Sequence, residues 1–164
     1  MVKLTNLCLV VVLATALQSC GFALRGNDAI SSSFSRLQLE LQQPQSELSR
    51  LLQRSLSSAD VEITTGSSTG TPILRLSNER VSNRPVTINP RARAAQVEIR
   101  LSVDVQLTQT GEDLIPTETL SVNRAYFQDI ENIAGNQEEV EIITAELRRE
   151  LVNQLMRRLE SAPQ

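Results

Sequence analysis

Residues 95–108 read AQVEIRLSVDVQLT, and apolar and polar side chains alternate along them without a break. The apolar positions are Ala95, Val97, Ile99, Leu101, Val103, Val105 and Leu107. An unbroken period of two predicts a β-strand with one face buried and the other in water. At 3.3 Å per residue the strand exceeds about 40 Å. That is long for a small domain, so we expect its end to project beyond the sheet.

The segments before this strand predict two or three shorter strands and one helix. Leucines at 37, 39 and 41 alternate with polar residues, which indicates a half-buried strand. Leucines at 48, 51, 52 and 56 form the apolar stripe of an amphipathic helix. A short edge strand is expected over Asp60–Ile63, and Ile73–Val81 reads as a further strand. A loop that contains Pro85 and Pro90 follows.

The segments after it predict a hairpin and a terminal helix. Thr110-Gly111-Glu112 is a plausible hairpin turn, and a last strand runs from about Glu118 to Tyr126. Pro116 indicates a bulge or a late strand start. Asn136 and Glu139 resemble a capping box at the start of the helix. The helical stripe comprises Val140, Ile143, Leu147, Leu151, Leu155 and Leu159.

The order of elements is therefore β-α-β-β-β-α. It predicts an α+β fold in which two helices pack on one face of a four-stranded, mostly antiparallel sheet. Aromatic residues are few, so we expect an aliphatic core.

The N-terminus predicts a lipoprotein signal. Lys3 precedes an apolar segment over residues 7–17, and the segment ends in LQSCG at residues 17–21. Residues 1–19 are then a signal peptide that is removed, and Cys20 carries an N-acyl group and an S-diacylglycerol. The alternative is an ordinary secretory signal that ends near a cysteine. We expect residues 20–34 to be a lipidated tether and residues 35–164 to be one domain.

The sequence contains few of the residues that usually carry out catalysis. The chain has no histidine, and its two cysteines are Cys8 in the signal and Cys20. The usual metal and nucleophile sets cannot be assembled, and no Gly-rich phosphate loop or G-x-S-x-G motif is present. The acidic pairs at residues 112–113 and 138–139 fit solvated acids in a turn and a first helical turn. We therefore expect no enzyme, no metal and no cofactor beyond the lipid on Cys20.

One charged segment stands out in a chain of net charge −3. Between Glu79 and Glu98 there are four arginines and no acid. These arginines are Arg80, Arg84, Arg91 and Arg93. If the strands around them form a hairpin, they cluster at its tip and could bind a phosphorylated or carboxylated ligand. A solvated tip or a partner contact remains equally open. The acidic chain disfavours nucleic acid, and a protruding sheet edge could pair with another protein.

Several short motifs together resemble the LptE family of lipopolysaccharide-assembly lipoproteins. They are CGFALR at 20–25, LRL at 74–76, the strand over 95–107, RAYF at 124–127 and LMRRL at 155–159. The motifs are short, but their order and spacing cover the expected mature chain.

The resemblance implies an outer-membrane lipoprotein on the periplasmic side, in complex with the LptD β-barrel. It would assist barrel assembly as a plug and deliver lipopolysaccharide to the outer leaflet. Gly21, where an aspartate would signal inner-membrane retention, agrees with that location. Family members bind lipopolysaccharide through basic residues, one of them just before the long strand, where this chain has Arg91 and Arg93. The loop at 132–136 has no basic residue, which leaves the hairpin tip as the better candidate.

Two other functions compete with this one. The first is a stand-alone outer-membrane lipoprotein that binds an anionic lipid or sugar through the arginines. The second, a periplasmic hydrolase that uses carboxylates, ranks last.

Overall fold

The computed structural model describes residues 33–64, 66, 70–88, 94–128 and 133–163, without the side chains of residues 88, 94, 95 and 133. Its elements are β1 Arg36–Leu41, α1 Glu47–Ser58, β2 Glu62–Thr64, β3 Ile73–Ile88, β4 Ala94–Gln109, β5 Glu112–Phe127 and α2 Ile133–Glu160. The expected signal peptide, Cys20 and most of the expected tether lie outside the described residues. Phe34, which we expected to end the tether, is 4% exposed and belongs to the core.

The sheet has the strand order β2-β1-β3-β4-β5. β1 runs parallel to both β2 and β3, whereas β3, β4 and β5 form an antiparallel meander. The predicted α+β arrangement of two helices and a largely antiparallel sheet is confirmed. The sheet has five strands rather than four because the short segment expected near Asp60–Ile63 joins it as β2.

The short helix α1 is fixed at both ends by its own sequence. The Ser46 hydroxyl accepts a hydrogen bond from the Ser49 amide at 3.1 Å, which caps the first turn. At the other end Asp60 has φ 56°, and Val61 N–H donates to the Leu56 carbonyl at 3.1 Å. This is a Schellman motif, and the apolar side chains of Val61 and Leu56 are both buried.

A single aliphatic core lies between the sheet and the helices. The alternating residues of β4 from Val97 to Leu107 are all at most 8% exposed, as their pattern predicted. Leu52 and Leu56 of α1 pack into the same core as Leu147 and Leu151 of α2. The face of the sheet that carries these apolar residues is called the inner face here, and the opposite face is called the outer face.

β3 is longer than predicted and runs through Pro85 to Ile88. The predicted loop over this region is wrong because β1 pairs with β3 only from Ile73 to Leu76. Beyond that point one edge of β3 has no neighbouring strand among the described residues. A proline without an N–H group is tolerated on such an open edge.

β5 also starts earlier than expected, directly after the turn. Thr110 and Gly111 have φ values of 50° and 87°, which suit the two-residue hairpin turn predicted there. Ile115 pairs with Leu107 and Glu118 with Val105, so the strand contains an extra residue around Pro116. The predicted bulge is therefore confirmed, and the strand begins before it rather than after it.

α2 begins at Ile133, three residues before the expected cap. Asn136 lies inside the helix, so the predicted capping box at Asn136 and Glu139 is wrong as a helix start. The helix has 28 residues and a length of about 42 Å at 1.5 Å per residue. It packs on β4 and β5.

The unequal strand lengths divide the molecule into two halves. The distal half comprises residues 77–88 of β3, 94–104 of β4 and 119–127 of β5, together with the first turns of α2. The proximal half contains β1, β2, α1, the β4–β5 turn and the C-terminal turns of α2. The described chain begins in the proximal half, and the β3–β4 connection lies at the far end of the distal half. No helix among the described residues is long and apolar enough to cross a membrane.

Candidate functional site

The expected β3–β4 hairpin is present, and it separates the four candidate arginines. Ile88 pairs with Ala94 at the last described step of the hairpin. Arg91 and Arg93 belong to the connection between them, outside the described residues. Arg80 pairs with Ser102 in the middle of β3, so it does not lie at the tip. Arg84 pairs with Glu98, between Arg80 and the tip.

Arg84 is bound to a carboxylate on the neighbouring strand. Its Nε donates to Glu98 Oε1 at 2.7 Å on the outer face. The Glu98 residue is 8% exposed, and Asn123 Nδ2 donates to its second oxygen at 2.9 Å. Arg100 Nη2 lies 3.7 Å from Glu98 Oε1. The charge of Arg84 is therefore already opposed within the sheet.

The electrostatics of this cluster follow from those contacts. The hydrogen bond from Arg84 lowers the pKa of Glu98, burial opposes that shift, and the charges of Arg84 and Arg100 add to the lowering. The same bond raises the pKa of Arg84. Glu98 is thus held as a carboxylate by cross-strand donors.

Arg80 lies near a second carboxylate on the outer face. Asp104 accepts hydrogen bonds from Thr119 Oγ1 at 2.6 Å and from Asn78 Nδ2 at 2.7 Å. These two bonds lower the pKa of Asp104, and the charge of Arg80 contributes to the same shift. Arg80 and Arg84 therefore lie among compensating acids, whereas Arg91 and Arg93 lie outside the described residues.

Several exposed apolar side chains in the distal half were not predicted. The large apolar side chains that the described residues leave most exposed are Val81 at 44%, Val86 at 49%, Phe127 at 74% and Ile142 at 54%. All four lie in the distal half. The sequence placed Val81 at the end of a predicted strand and Val86 in a predicted loop. Their exposure on an open strand edge was not predicted because the sequence does not show that β1 pairs with β3 only as far as Leu76.

Beyond Leu76, β3 is irregular in its pairing with β4, and its other edge has no neighbouring strand among the described residues. Its register with β4 shifts between Ser77 and Arg80 and again between Pro85 and Thr87. Val86 is the extra residue at the second shift. Bulges and a proline on an open edge discourage uncontrolled pairing with other strands.

The acidic pairs form no catalytic arrangement within the described residues. Asp113 accepts a hydrogen bond from Gln106 Nε2 at 2.9 Å beside the β4–β5 turn. Glu138 and Glu139 are exposed in the first turns of α2. No group of three or more acidic, histidine or cysteine side chains in the described part of the chain is placed to hold a metal ion.

Comparison with known proteins places this architecture. A family model described as "LptE: Lipopolysaccharide-assembly" matches residues 34–159. The LPS-assembly lipoprotein LptE of Photorhabdus laumondii is 28% identical over 156 residues, which cover 95% of this chain and 84% of that protein. The LPS-assembly lipoprotein LptE of Yersinia pestis is 30% identical over 157 residues, which cover 95% of this chain and 74% of that protein.

Solved structures share the fold. The rare lipoprotein B of Shewanella oneidensis superposes with a TM-score of 0.70 at 21% identity, and the match covers 77% of this chain and 94% of that one. Lipoprotein B of Nitrosomonas europaea gives a TM-score of 0.68 at 19% identity, over 86% of this chain and 91% of that one.

The family model covers nearly the whole described domain, and the relatives extend the match to most of the chain. The resemblance noted in the sequence is confirmed, and the expectation of a non-enzymatic lipoprotein of lipopolysaccharide assembly agrees with it. This chain belongs to the LptE family of lipopolysaccharide-assembly lipoproteins.

Proposed function

We propose that this protein is anchored through lipid on Cys20 to the periplasmic side of the outer membrane. There it forms a complex with an LptD-type β-barrel, assists the assembly of the barrel as its plug, and takes part in delivery of lipopolysaccharide to the outer leaflet. The observation that carries the proposal is the set of exposed apolar side chains in the distal half, together with the family membership.

The distal half has the features of a contact surface. Val81 and Val86 lie on the part of β3 that has no neighbouring strand on one edge among the described residues, and both side chains are about half exposed. Phe127 and Ile142 add exposed apolar area on β5 and α2. Val81 pairs with Leu101 on the inner face and Phe127 pairs with Gln96 on the outer face, so a partner that contacts both must surround the distal half.

Charged substitutions on β3 test the barrel contact. Val81→Glu combined with Val86→Glu should abolish co-purification of the barrel protein from outer membranes. Both side chains are largely exposed, so the isolated domain should keep its fold and melting temperature. Ser57→Glu combined with Thr117→Glu makes the same charge change at exposed proximal positions and should leave co-purification intact. Wild-type recovery of the barrel with the β3 variant would contradict the proposed surface.

Lipopolysaccharide is proposed to contact Arg91 and Arg93. Arg84 and Arg80 already face Glu98 and Asp104, so they contribute less free charge to an incoming phosphate. Two arginines on a short connection can make bidentate contacts with phosphate groups.

A charge reversal at the tip separates binding from barrel association. Arg91→Glu with Arg93→Glu should lower the affinity for purified lipopolysaccharide by at least about tenfold, the effect of losing one charged hydrogen bond. Arg36→Glu reverses an exposed arginine of β1 and serves as the control. Retained barrel association with lost lipopolysaccharide binding shows two separate roles. Unchanged binding in the tip variant removes the tip from the proposal.

The anchor is tested by fractionation. Cys20→Ser removes the thiol that would accept the diacylglycerol, so the protein should leave the outer-membrane fraction and lose incorporation of labelled palmitate. Persistence in that fraction with no label would contradict lipidation at Cys20.

The stand-alone alternative remains the second candidate. It is favoured only if the lipidated protein is recovered from outer membranes without a barrel and still binds an anionic lipid or sugar.

A further inference from the structure

Two pockets that follow one another between α1 and α2 carry a concentration of arginines that the proposed function does not use. We call the two pockets together the interhelical groove. Its first section is lined by Glu47, Leu51, Ala145, Arg148 and Arg149. Its second section is lined by Arg54, Ser55, Ser58, Asn153, Met156, Arg157 and Glu160. Both sections lie in the helix layer, away from the β3–β4 tip.

The groove is basic although the chain is acidic. Four arginines and two glutamates line it, whereas the whole chain has a net charge of −3. Glu47 already binds Arg50 on its own helix. The nearby acids Glu146 and Glu150 pair with Arg124 of β5. The surrounding carboxylates therefore leave the groove positive.

Arg148 has a donor that lacks an acceptor. Its Nε atom is buried and makes no hydrogen bond within the described part of the molecule. A buried donor left unpaired is costly, and such groups usually mark a missing partner. Arg149 beside it donates from Nε to the Ala145 carbonyl at a long 3.3 Å. Arg54 and Arg157 make no ion pair among the described residues.

The spacing along α2 indicates the kind of ligand. Arg149 of the first section and Arg157 of the second are eight residues apart, which corresponds to about 12 Å along a helix and leaves the two side chains within a quarter turn of each other. A ligand that satisfies both sections must carry two anionic groups at comparable separation. Arginine forks match phosphate oxygens bidentately, and the apolar side chains of Leu51 and Met156 suit a hydrocarbon or sugar backbone between the phosphates.

We propose that the interhelical groove is an anion site that binds a lipid headgroup bearing two phosphate groups, or two adjacent phospholipid headgroups. The arginines of the first section take one phosphate, and those of the second section take the other. This site is separate from the tip and does not depend on Arg91 or Arg93.

The test is a binding titration with the full-length lipoprotein in detergent. Arg148→Gln with Arg157→Gln removes one guanidinium from each section. The affinity for bisphosphorylated lipopolysaccharide, for phosphatidylglycerol vesicles, or for both should fall at least about tenfold. The salt dependence of that binding should also become shallower. Arg36→Gln with Arg75→Gln, two exposed arginines of the sheet, is the matched control.

The two lipids identify the source of the phosphates. Loss confined to lipopolysaccharide assigns the groove to the transported lipid, whereas loss confined to phosphatidylglycerol assigns it to the surrounding membrane. Dephosphorylated lipopolysaccharide should bind the wild type and the groove variant equally. Wild-type affinity of the variant for both lipids overturns the site.

Failure of this site and failure of the proposed function are distinguishable. Barrel co-purification is measured on the same groove variant and should be unchanged, because the distal half is intact. If Arg148 were only structural, Arg148→Met would lower the melting temperature. We expect it to keep the melting temperature while it lowers the affinity for phosphate-bearing lipid.

Discussion

The cross-strand pair of Arg84 and Glu98 links an outer-face contact to acid stability. Glu98 has a lowered pKa in the folded protein, so its contribution is present above the pKa of the unfolded chain. That contribution is lost as the pH falls through the lowered folded pKa.

Arg84→Ala removes the largest cause of the lowered pKa and leaves burial acting on Glu98. The pKa of Glu98 should rise, and the loss of stability on acidification should begin at a higher pH than in the wild type. Carboxyl carbon chemical shifts of Glu98 and acid unfolding curves measure the two effects. Arg36→Ala breaks an exposed pair and should change neither. An unchanged Glu98 titration in Arg84→Ala would argue against this account.

The β4–β5 turn makes opposite predictions for two adjacent residues. Thr110 is β-branched at φ 50°, where such side chains are strained, so Thr110→Asn should stabilise the domain by about 0.5–1 kcal/mol. Gly111 has φ 87° with open space around it, so Gly111→Ala should cost about 1–2 kcal/mol through backbone strain alone. Urea unfolding of both variants gives the comparison. Equal stabilities would mean that the turn tolerates side chains at these φ values.

At the residue scale the sequence predicted the core better than the site. Alternation alone identified the buried positions from Val97 to Leu107, because a period of two has one buried face. It could not show that Arg84 faces Glu98, since that contact depends on the register of two strands. The register shifts at Asn78 and Val86 have no period in the sequence and decide where Arg80 and Arg84 lie.

At the scale of elements, one side of α2 packs on the inner face of the sheet, and the opposite side of the helix is exposed to solvent. Leu151 is 1% exposed, whereas Ile142 is 54% exposed on the same helix. Among the described residues three ion pairs also join the helix to β5, and one of them, Arg158 Nε to Glu118 Oε1, is 2.7 Å long.

Truncation of these two residues should have very different costs. Leu151→Ala creates a cavity under the helix and should destabilise the domain by about 2–5 kcal/mol. Ile142→Ala removes exposed surface and should change stability by less than about 0.5 kcal/mol. Thermal or urea unfolding measures both. A cost for Ile142→Ala close to that of Leu151→Ala would place Ile142 in the core.

The predicted boundaries of strands and helices were wrong where tertiary contacts outweigh local sequence signals. Pro85 marked a loop in the sequence, but the open edge of β3 makes its missing N–H harmless. Asn136 marked a helix start, but the helix begins earlier at Ile133. For Pro116 the sequence left two interpretations open, a bulge or a late strand start, and the register with β4 bears out the bulge.

At the scale of the whole molecule, the proximal and distal halves differ in how well their strands are supported. In β3, Leu74 and Leu76 have neighbouring strands on both sides, whereas the residues from Ser77 onward have a neighbour on one side only. Local opening should therefore be easier in the distal half.

Hydrogen exchange of the isolated lipoprotein measures that difference. Amides of β3 beyond Ser77 should exchange faster than those of Leu74 and Leu76. Addition of the purified barrel protein should slow exchange in the distal half and leave the proximal amides unchanged. Uniform protection along β3 without the partner would contradict the division into halves.

Because β1 ends at Leu41, opposite Leu76 of β3, the distal half is narrower than the proximal half and the molecule is wedge-shaped. The distal half has three strands and one helix, and at Leu41 and Leu76 the fold widens as β1 and α1 join it. A β-barrel that encloses the narrow end, as in the proposed complex, can extend no further along the molecule than this widening. In the proposed complex the depth of entry would then depend on the length of this six-residue strand. In the proposed complex, lengthening β1 by two residues should change the depth at which this protein sits in the barrel.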